Sequence, residues 1–289
     1  MRHSGYRLLS PVASWYETNK RYLPWRGAGA WGVLVSEVML QQTPVARVLP
    51  AYLAWTARWP SPASLAAAAP AEVLTAWGRL GYPRRALNLH RASVVIVDHH
   101  GGSVPDDLHA LTSLPGIGEY TARAVSVFGF GRRHGVVDVN VRRVLARCLD
   151  GVSETPPRRG DIDRLESLLP ADPASAGHLS AGLMELGALV CRKRNPACRS
   201  CPLARSCRWL QAGLPPGPPL GRQAPYEGSD RQARGSLLAV LRSGLPLDAS
   251  AARRAVPDID RRRRALAGLA ADGLIERNGR LWRFPTSSS

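Results

Sequence analysis

The chain has 289 residues, 45% of them hydrophobic, and 39 lysines and arginines against 22 acids, giving a net charge of +17. The apolar share supports packed cores in more than one domain, and the charge suits a polyanionic partner far better than a small neutral substrate. Five cysteines, with no apolar signal-type core in residues 1–10, argue against a secreted disulfide scaffold. No run approaches a membrane span, since Val94-Val95-Ile96-Val97 leads straight into Asp98-His99-His100, so a cytoplasmic protein is expected. Only Lys20 and Lys193 are lysines. Codon bias can choose arginine over lysine, but it does not explain the shortage of acids.

The pattern along the chain predicts a mainly all-α protein. Helices are expected over residues 11–22, 31–42, 50–59, 70–78, 84–99, 108–114, 119–128 and 141–148, most of them bounded by Gly, Pro, Ser or Asp. A later helix, 179–190, delivers the chain into Cys191. Residues 211–230, rich in Pro and Gly at their start, read as a linker. Beyond them come helices at 231–242, from a cap at Asp248 to about Pro257, and at 260–271. A hairpin then turns on Asn278-Gly279. Three helices and a hairpin is the order of a winged-helix domain, whose third helix, here opening Arg261-Arg262-Arg263-Arg264, is the usual DNA reader. The same module could equally pack on the body and leave those arginines as a solvated face.

Three features carry chemistry. Leu114-Pro115-Gly116-Ile117-Gly118 ends one helix and opens another, so backbone N–H groups gather at a glycine turn, an arrangement that grips phosphate without reading a base. Glu37 lies in an apolar helix with Val33, Leu34 and Leu40 on its face, and burial should raise its pKa toward that of a proton donor. A structural capping carboxylate is the alternative. Asp138 and Asn140 precede a helix and either could simply cap it. An un-ionised Glu and an ionised Asp would divide glycosidic bond cleavage as two unlike carboxylates do in sugar hydrolysis. Cys191, Cys198, Cys201 and Cys207, with six, two and five residues between them, are a set of soft metal ligands; zinc usually takes two close pairs, and only Cys198 and Cys201 are close. Cys148 sits on the apolar stripe of its helix and reads as a core residue.

Leu23-Pro24-Trp25-Arg26, Val35-Ser36-Glu37-Val38-Met39-Leu40-Gln41-Gln42-Thr43, Leu80-Gly81-Tyr82, the glycine turn, Asp138-Val139-Asn140-Val141-Arg142-Arg143-Val144 and the four cysteines together resemble the MutY branch of the endonuclease III superfamily, over residues 10–208. Members are adenine DNA glycosylases acting in base excision repair on adenine mispaired with 8-oxoguanine or guanine. The resemblance implies a helix-hairpin-helix fold: a six-helix barrel at 23–134, an iron–sulfur module from 1–22 and 135–210, and the small winged-helix-like domain at 231–289. It implies a [4Fe–4S] cluster on the four cysteines and a monovalent cation at the hairpin. Glu37 would protonate adenine, Asp138 stabilise the sugar cation, and Asn140 orient Asp138 or the water. Tyr120 stands where backbone-cleaving relatives carry Lys, so a monofunctional enzyme is expected. Gln42, Leu80 and Tyr82 would meet the DNA beside the lesion, with Gly116, Gly118 and Arg26 on its backbone. The partner is double-stranded DNA containing an A·8-oxoguanine or A·G mispair, bound by a monomer that is nucleoid-associated when at work.

One departure stands out. Typical members end in a larger domain that contacts 8-oxoguanine, and the tail here is too short and too helical for it, resembling actinobacterial members. Discrimination is expected to rest on Gln42, Leu80 and Tyr82, with residues 224–289 adding general affinity. The competing readings are a G·T mismatch thymine glycosylase, a bifunctional lyase, which Tyr120 disfavours, and a non-catalytic DNA-binding protein.

Overall fold

The computed structural model describes residues 4–217 and 225–286, so residues 218–224 of the expected linker lie outside the described residues. Fifteen α-helices and one two-stranded sheet are described. They are α1 Ser4–Asn19, α2 Gly29–Leu40, α3 Val45–Arg58, α4 Pro62–Ala66, α5 Pro70–Trp77, α6 Arg84–His99, α7 Leu108–Ser113, α8 Glu119–Phe130, α9 Val139–Leu145, α10 Asp161–Leu168, α11 Pro173–Leu189, α12 Arg208–Gln211, α13 Asp230–Arg242, α14 Ala249–Ala255 and α15 Ile259–Ala271, then β1 Glu276–Asn278 and β2 Leu281–Arg283. None of these helices is long and apolar enough to cross a membrane.

Several boundaries differ from the pattern, for physical reasons. Pro11 and Pro50, expected to start helices, lie inside α1 and α3. An interior proline costs about 3 kcal/mol; in α3 the buried face of Val48, Tyr52 and Trp55 offsets it. Helix α9 begins two residues early because Asp138 caps it, and it widens into a π-turn over Ala146–Asp150 that ends at Gly151. Helices α4, α10 and α12 were not expected: α4 and α12 have five and four residues, too few to show a period, and α10 starts with no side-chain cap. The C-terminal hairpin turns on Gly279-Arg280, one residue later than expected, with Asn278 paired to Leu281 and Gly279 at φ 60°. A glycine of positive φ in the first loop position is the mark of a II′ turn, in which Asn278 keeps its place in the ladder.

The chain divides into two compact units, one of residues 1–34, 106–109 and 118–220, the other of 35–105, 110–117 and 221–289. In the first, α1 and α9 pack on α11 around Leu9, Val12, Val141, Val144, Leu165 and Leu183. Gly187 of α11 is required there, since a Cβ would stand 2.6 Å from the Asn140 Cβ. Glu185, also on α11, is buried and accepts from Arg21 N (2.9 Å), Arg21 Nε (2.8 Å), Arg21 Nη2 (2.9 Å) and Arg26 Nη2 (2.9 Å).

In the second unit, Trp55 meets Trp59 and Trp77 edge-on, and α4 and α5 lie on α6. Helices α13–α15 and the hairpin form the C-terminal module, with Ser229, Asp248 and Asp258 as N-caps. A bridge between Leu247 and Trp282 adds a third short strand segment, which completes the winged-helix order. The arginines opening α15 are partly committed: Arg262 donates to the carbonyls of Val256 and Pro257, and Arg264 forms a two-bond pair with Asp230.

Burial works against the Glu185 charge, but the Arg21 hydrogen bonds and the Arg26 charge outweigh it and hold this carboxyl below its ordinary value of 4.5. The stabilisation is therefore present at neutral pH and lost as pH falls through the depressed folded value. Glu185→Gln should lower the unfolding free energy by about 3 kcal/mol at pH 7. Urea unfolding repeated down the acid range should show the difference from wild type closing.

Candidate active site and metal centre

Helix α2 is buried along almost its whole length, which places Glu37, 7% exposed, among Val33, Leu34 and Val38. Asp138 caps α9 in the other unit. Its Oδ1 accepts from Val141 N at 2.7 Å and its Oδ2 from Asn140 Nδ2 at 2.7 Å. Asn140 Oδ1 in turn accepts from Arg143 Nη2 (2.8 Å), and Arg143 also donates to the Gly187 carbonyl (2.8 Å) and, through Nε, to the Cys191 carbonyl (2.7 Å). A continuous chain of hydrogen bonds thus runs from Asp138 to the first cysteine. Burial pushes the Asp138 carboxyl above the usual aspartate value, opposed by the bonds from Val141 and Asn140 and by the Arg143 charge.

Cys191, Cys198, Cys201 and Cys207 line one small cavity together with Arg147 and Trp209. None of the four is in a disulfide. Among the described residues no three His, Cys, Asp or Glu side chains converge tightly enough to hold one metal ion. A single tetrahedral zinc needs its sulfurs about 3.8 Å apart, whereas a cubane places one thiolate on each of four irons and takes a wider ring. Four thiol side chains around one cavity are the soft donor set that such a cluster would take. Arg147 is buried, stacks 4.2 Å from the Trp209 ring, and donates to Cys191 Sγ (3.5 Å) and the Arg192 carbonyl (2.8 Å). Arg192, Lys193 and Arg194 are exposed on the loop that follows. Cys148 is buried in the core against which Cys191 and Cys201 pack, and burial pushes its thiol up to about 12.

The glycine turn has two unlike glycines. Gly116 is left-handed, φ 76°, and a Cβ there would collide with Asn88 at 2.6 Å. Gly118 is extended, φ −88° and ψ 174°, and caps α8; a Cβ there would meet nothing, so it keeps the helix mouth open rather than freeing the backbone. Leu114 and Ile117 are buried and pin the turn, with Ile117 N donating to the Leu114 carbonyl at 3.1 Å. Tyr120 packs on Ala124, Val127 and Val136.

Gln42 (φ 55°) and Tyr82 (φ 46°) are both left-handed non-glycine residues. Such backbone costs on the order of 1–3 kcal/mol and must be held by its surroundings. Arg85 holds it. This buried guanidinium donates to the carbonyls of Val38 (2.8 Å), Met39 (3.0 Å), Gln41 (2.6 Å) and Gly81 (3.1 Å) and to Thr43 Oγ1 (3.0 Å). It lies over the Trp77 and Tyr82 rings, 5.2 and 5.5 Å from their centroids. Tyr82 is 51% exposed and Leu80 is buried, so of the two only Tyr82 is presented to solvent. Arg26 is committed to Glu185 and the Arg21 carbonyl and stacks on Tyr16.

Sequence reasoning missed Arg85, Arg143 and Arg147. Their signal was an arginine on a buried helical stripe; Arg143 and Arg147, four residues apart, share one with Val144 and Cys148.

Fold and site together define a helix-hairpin-helix protein of base excision repair: the model of the HhH-GPD superfamily of base excision DNA repair proteins matches residues 35–169. The chain is 50% identical over 274 residues to the adenine DNA glycosylase of Mycolicibacterium smegmatis, covering 93% of each. A thermostable thymine-DNA glycosylase structure superposes with TM-score 0.66 at 25% identity over 72% of this chain and 97% of that one. A non-covalent endonuclease III–DNA complex gives TM-score 0.64 at 22% identity over 74% and 98%, a likeness of fold. The chain belongs to the adenine DNA glycosylases of this superfamily.

Arg85→Lys keeps a charge but loses the planar fork that reaches several carbonyls at once. It should destabilise the fold by about 1–3 kcal/mol in thermal melts. It should also weaken binding to a mispaired duplex about tenfold, equivalent to about 1.4 kcal/mol, with binding to a fully paired duplex unchanged.

Proposed function

We propose that this adenine DNA glycosylase acts on duplex DNA carrying adenine opposite 8-oxoguanine or guanine, with Glu37 and Asp138 dividing the chemistry. The observation that carries the reading is Asp138: a half-buried carboxylate, aligned by its cap and by Asn140, with Arg143 behind it. Adenine leaves with the electron pair of its glycosidic bond, so the base needs a proton and the sugar C1′ becomes cationic. Glu37, held in an apolar helix, delivers the proton at N7. Asp138 supplies the negative charge that the sugar cation lacks. Water then adds at C1′ and gives up a proton. Asn140 fixes the orientation of Asp138, a task its bonds to both Asp138 and Arg143 support.

Tyr120 has no amine with which to form a Schiff base, so the abasic product stays unbroken. Gln42 and Tyr82 enter the stack, worth about 1–3 kcal/mol per base, and help offset the extrusion of adenine. Gly116 and Gly118 form the phosphate-gripping turn, and Arg26, partly neutralised by Glu185, adds a weaker contact with the DNA backbone. The four cysteines hold a [4Fe–4S] cluster, which braces the loop of Arg192, Lys193 and Arg194 toward phosphate; base hydrolysis needs no electron from it. A thymine glycosylase shares the fold, but the 50% identity across 93% of an adenine enzyme, together with Glu37, favours adenine.

In single-turnover assays on an A·8-oxoguanine duplex, Glu37→Gln and Asp138→Asn should each slow adenine release by roughly 10²-fold or more with binding nearly intact; near wild-type rates would sink the assignment. Asp138 must be ionised, and its carboxyl is raised by burial, so the rate should fall on the acid side at a pH where an exposed aspartate is still charged. Arg143→Gln removes a charge that opposes the rise and should move this limb to higher pH.

Anaerobically purified protein should contain about four irons per chain and absorb broadly in the visible. One zinc and no iron would refute the cluster. Cys148→Ser should leave the iron content unchanged.

A further inference from the structure

The segment that enters α9 is apolar on either side of Asp138, and its valines go to different places. Val136 is fully buried with Ala124 and Val127, where Tyr120 packs on it, and Val137 lies against the core of α1, α9 and α11. Within α9, Val141 and Val144 are buried in that same core, at 0% and 2% exposure. Val139 differs: it is 66% exposed, although it stands between Asp138 and Asn140. It therefore adds little to the packing of the free protein.

Its position is fixed all the same. Val139 is the first residue of a helix that Asp138 caps, and bonds from Val141 N (2.7 Å) and Asn140 Nδ2 (2.7 Å) to the Asp138 carboxylate hold that turn. Gly187 of α11 comes so close to Asn140 that a Cβ would not fit between them. A branched Cβ leaves the valine few rotamers. Helical side chains lean toward the N-terminus of their helix, which here is toward Asp138.

We propose that Val139 is the apolar wall against which the deoxyribose of the target nucleotide rests, keeping water from the space between Asp138 and the sugar C1′. This rests on the role given to Asp138 above. A carboxylate stabilises a sugar cation through its charge, and the attraction weakens as the local dielectric rises, so water at the carboxylate would cost rate. A deoxyribose presents mainly C–H groups, which suit valine methyls, and its 2′ carbon carries no hydroxyl that such a wall would leave unpaired. A phosphate would gain nothing from those methyls and would be repelled by Asp138, so the sugar is the better occupant. Arg143 of α9 is the cation that acts on the Asp138 charge; α11 meets the turn at Gly187, and α8 places the Tyr120 ring against Val136.

The test is single-turnover adenine release by the full-length, iron-loaded protein on an A·8-oxoguanine duplex, with enzyme in saturating excess, repeated down the acid range. Val139→Ser should slow release roughly tenfold at neutral pH, while duplex affinity and the melting midpoint stay near wild type. Water admitted to Asp138 favours its ionised form, so the acid limb of the rate profile should move to lower pH. Val139→Ile keeps a branched apolar wall and should restore most of the lost rate and return the limb. Val139→Thr, of valine shape but carrying a hydroxyl, should act in the same direction as Val139→Ser and serves in its place if that variant folds poorly. An unchanged rate and limb in a folded polar variant would overturn the proposal, as would an equal loss in Val139→Ile. A loss confined to affinity, with the saturated rate intact, would make Val139 a docking contact alone and overturn it too. Asp138→Asn separates the two readings: wild-type rates there would overturn the role of Asp138, whereas a slow Asp138→Asn beside a normal Val139→Ser would overturn only the wall.

Discussion

A guanidinium keeps its charge when buried, so each buried arginine must be enclosed by acceptors, and much of this molecule is arranged to supply them. Arg85 is pushed down to about 10 by desolvation and is still a cation at neutral pH. The acceptors around it are the carbonyls at the end of α2 and in the loop before α6, which fixes two left-handed residues in place. Arg143 does the same between α9, α11 and the first cysteine, and Arg147 between the π-turn, Trp209 and the loop after Cys191. Each joins a piece of functional backbone to a packed helix, so strain or exposure at the site is carried by a rigid element.

The buried acids show how environment assigns different tasks to one chemical group. Glu185 is surrounded by Arg21 and Arg26 and is held charged. Half-buried Asp138 has backbone and amide donors and the Arg143 charge, but desolvation outweighs them and its carboxyl rises. Glu37 sits in an apolar helix, 7% exposed. Three carboxyl groups of like chemistry thus stand in three different environments.

The distribution of positive charge follows the same logic. Part of the +17 is internal: the arginines of α15 that a winged helix would aim at DNA are divided, with Arg262 and Arg264 bonded inside the module and Arg263 exposed. Near the cysteines Arg192, Lys193 and Arg194 are exposed on a loop anchored by Arg147, with Lys193 paired to Glu154 at 3.2 Å. The first arrangement ties the module together, and the second leaves positive charge on the surface.

Much of the site was legible in the sequence because its signals are local. The glycine turn, the cap at Asp138, the apolar helix around Glu37 and the cysteine spacing each state a backbone conformation or a ligand set within a few residues. The hydrophobic stripes and turn residues placed most helices, failing at Pro11 and Pro50, where packing overrode a local penalty, and at the hairpin, where one residue of register depends on the ladder. The rest depended on partners distant in sequence. Arg85 reaches carbonyls 44 to 47 residues away, Arg143 one 48 residues away, and Asp272 pairs with an arginine 188 residues earlier. Chain pattern specifies that a residue is buried or charged, but only the folded packing decides which acceptor it faces. The left-handed loops at Gln42 and Tyr82, the link from Asp138 to the cysteines and the contact made by the C-terminal module therefore belong to the tertiary structure.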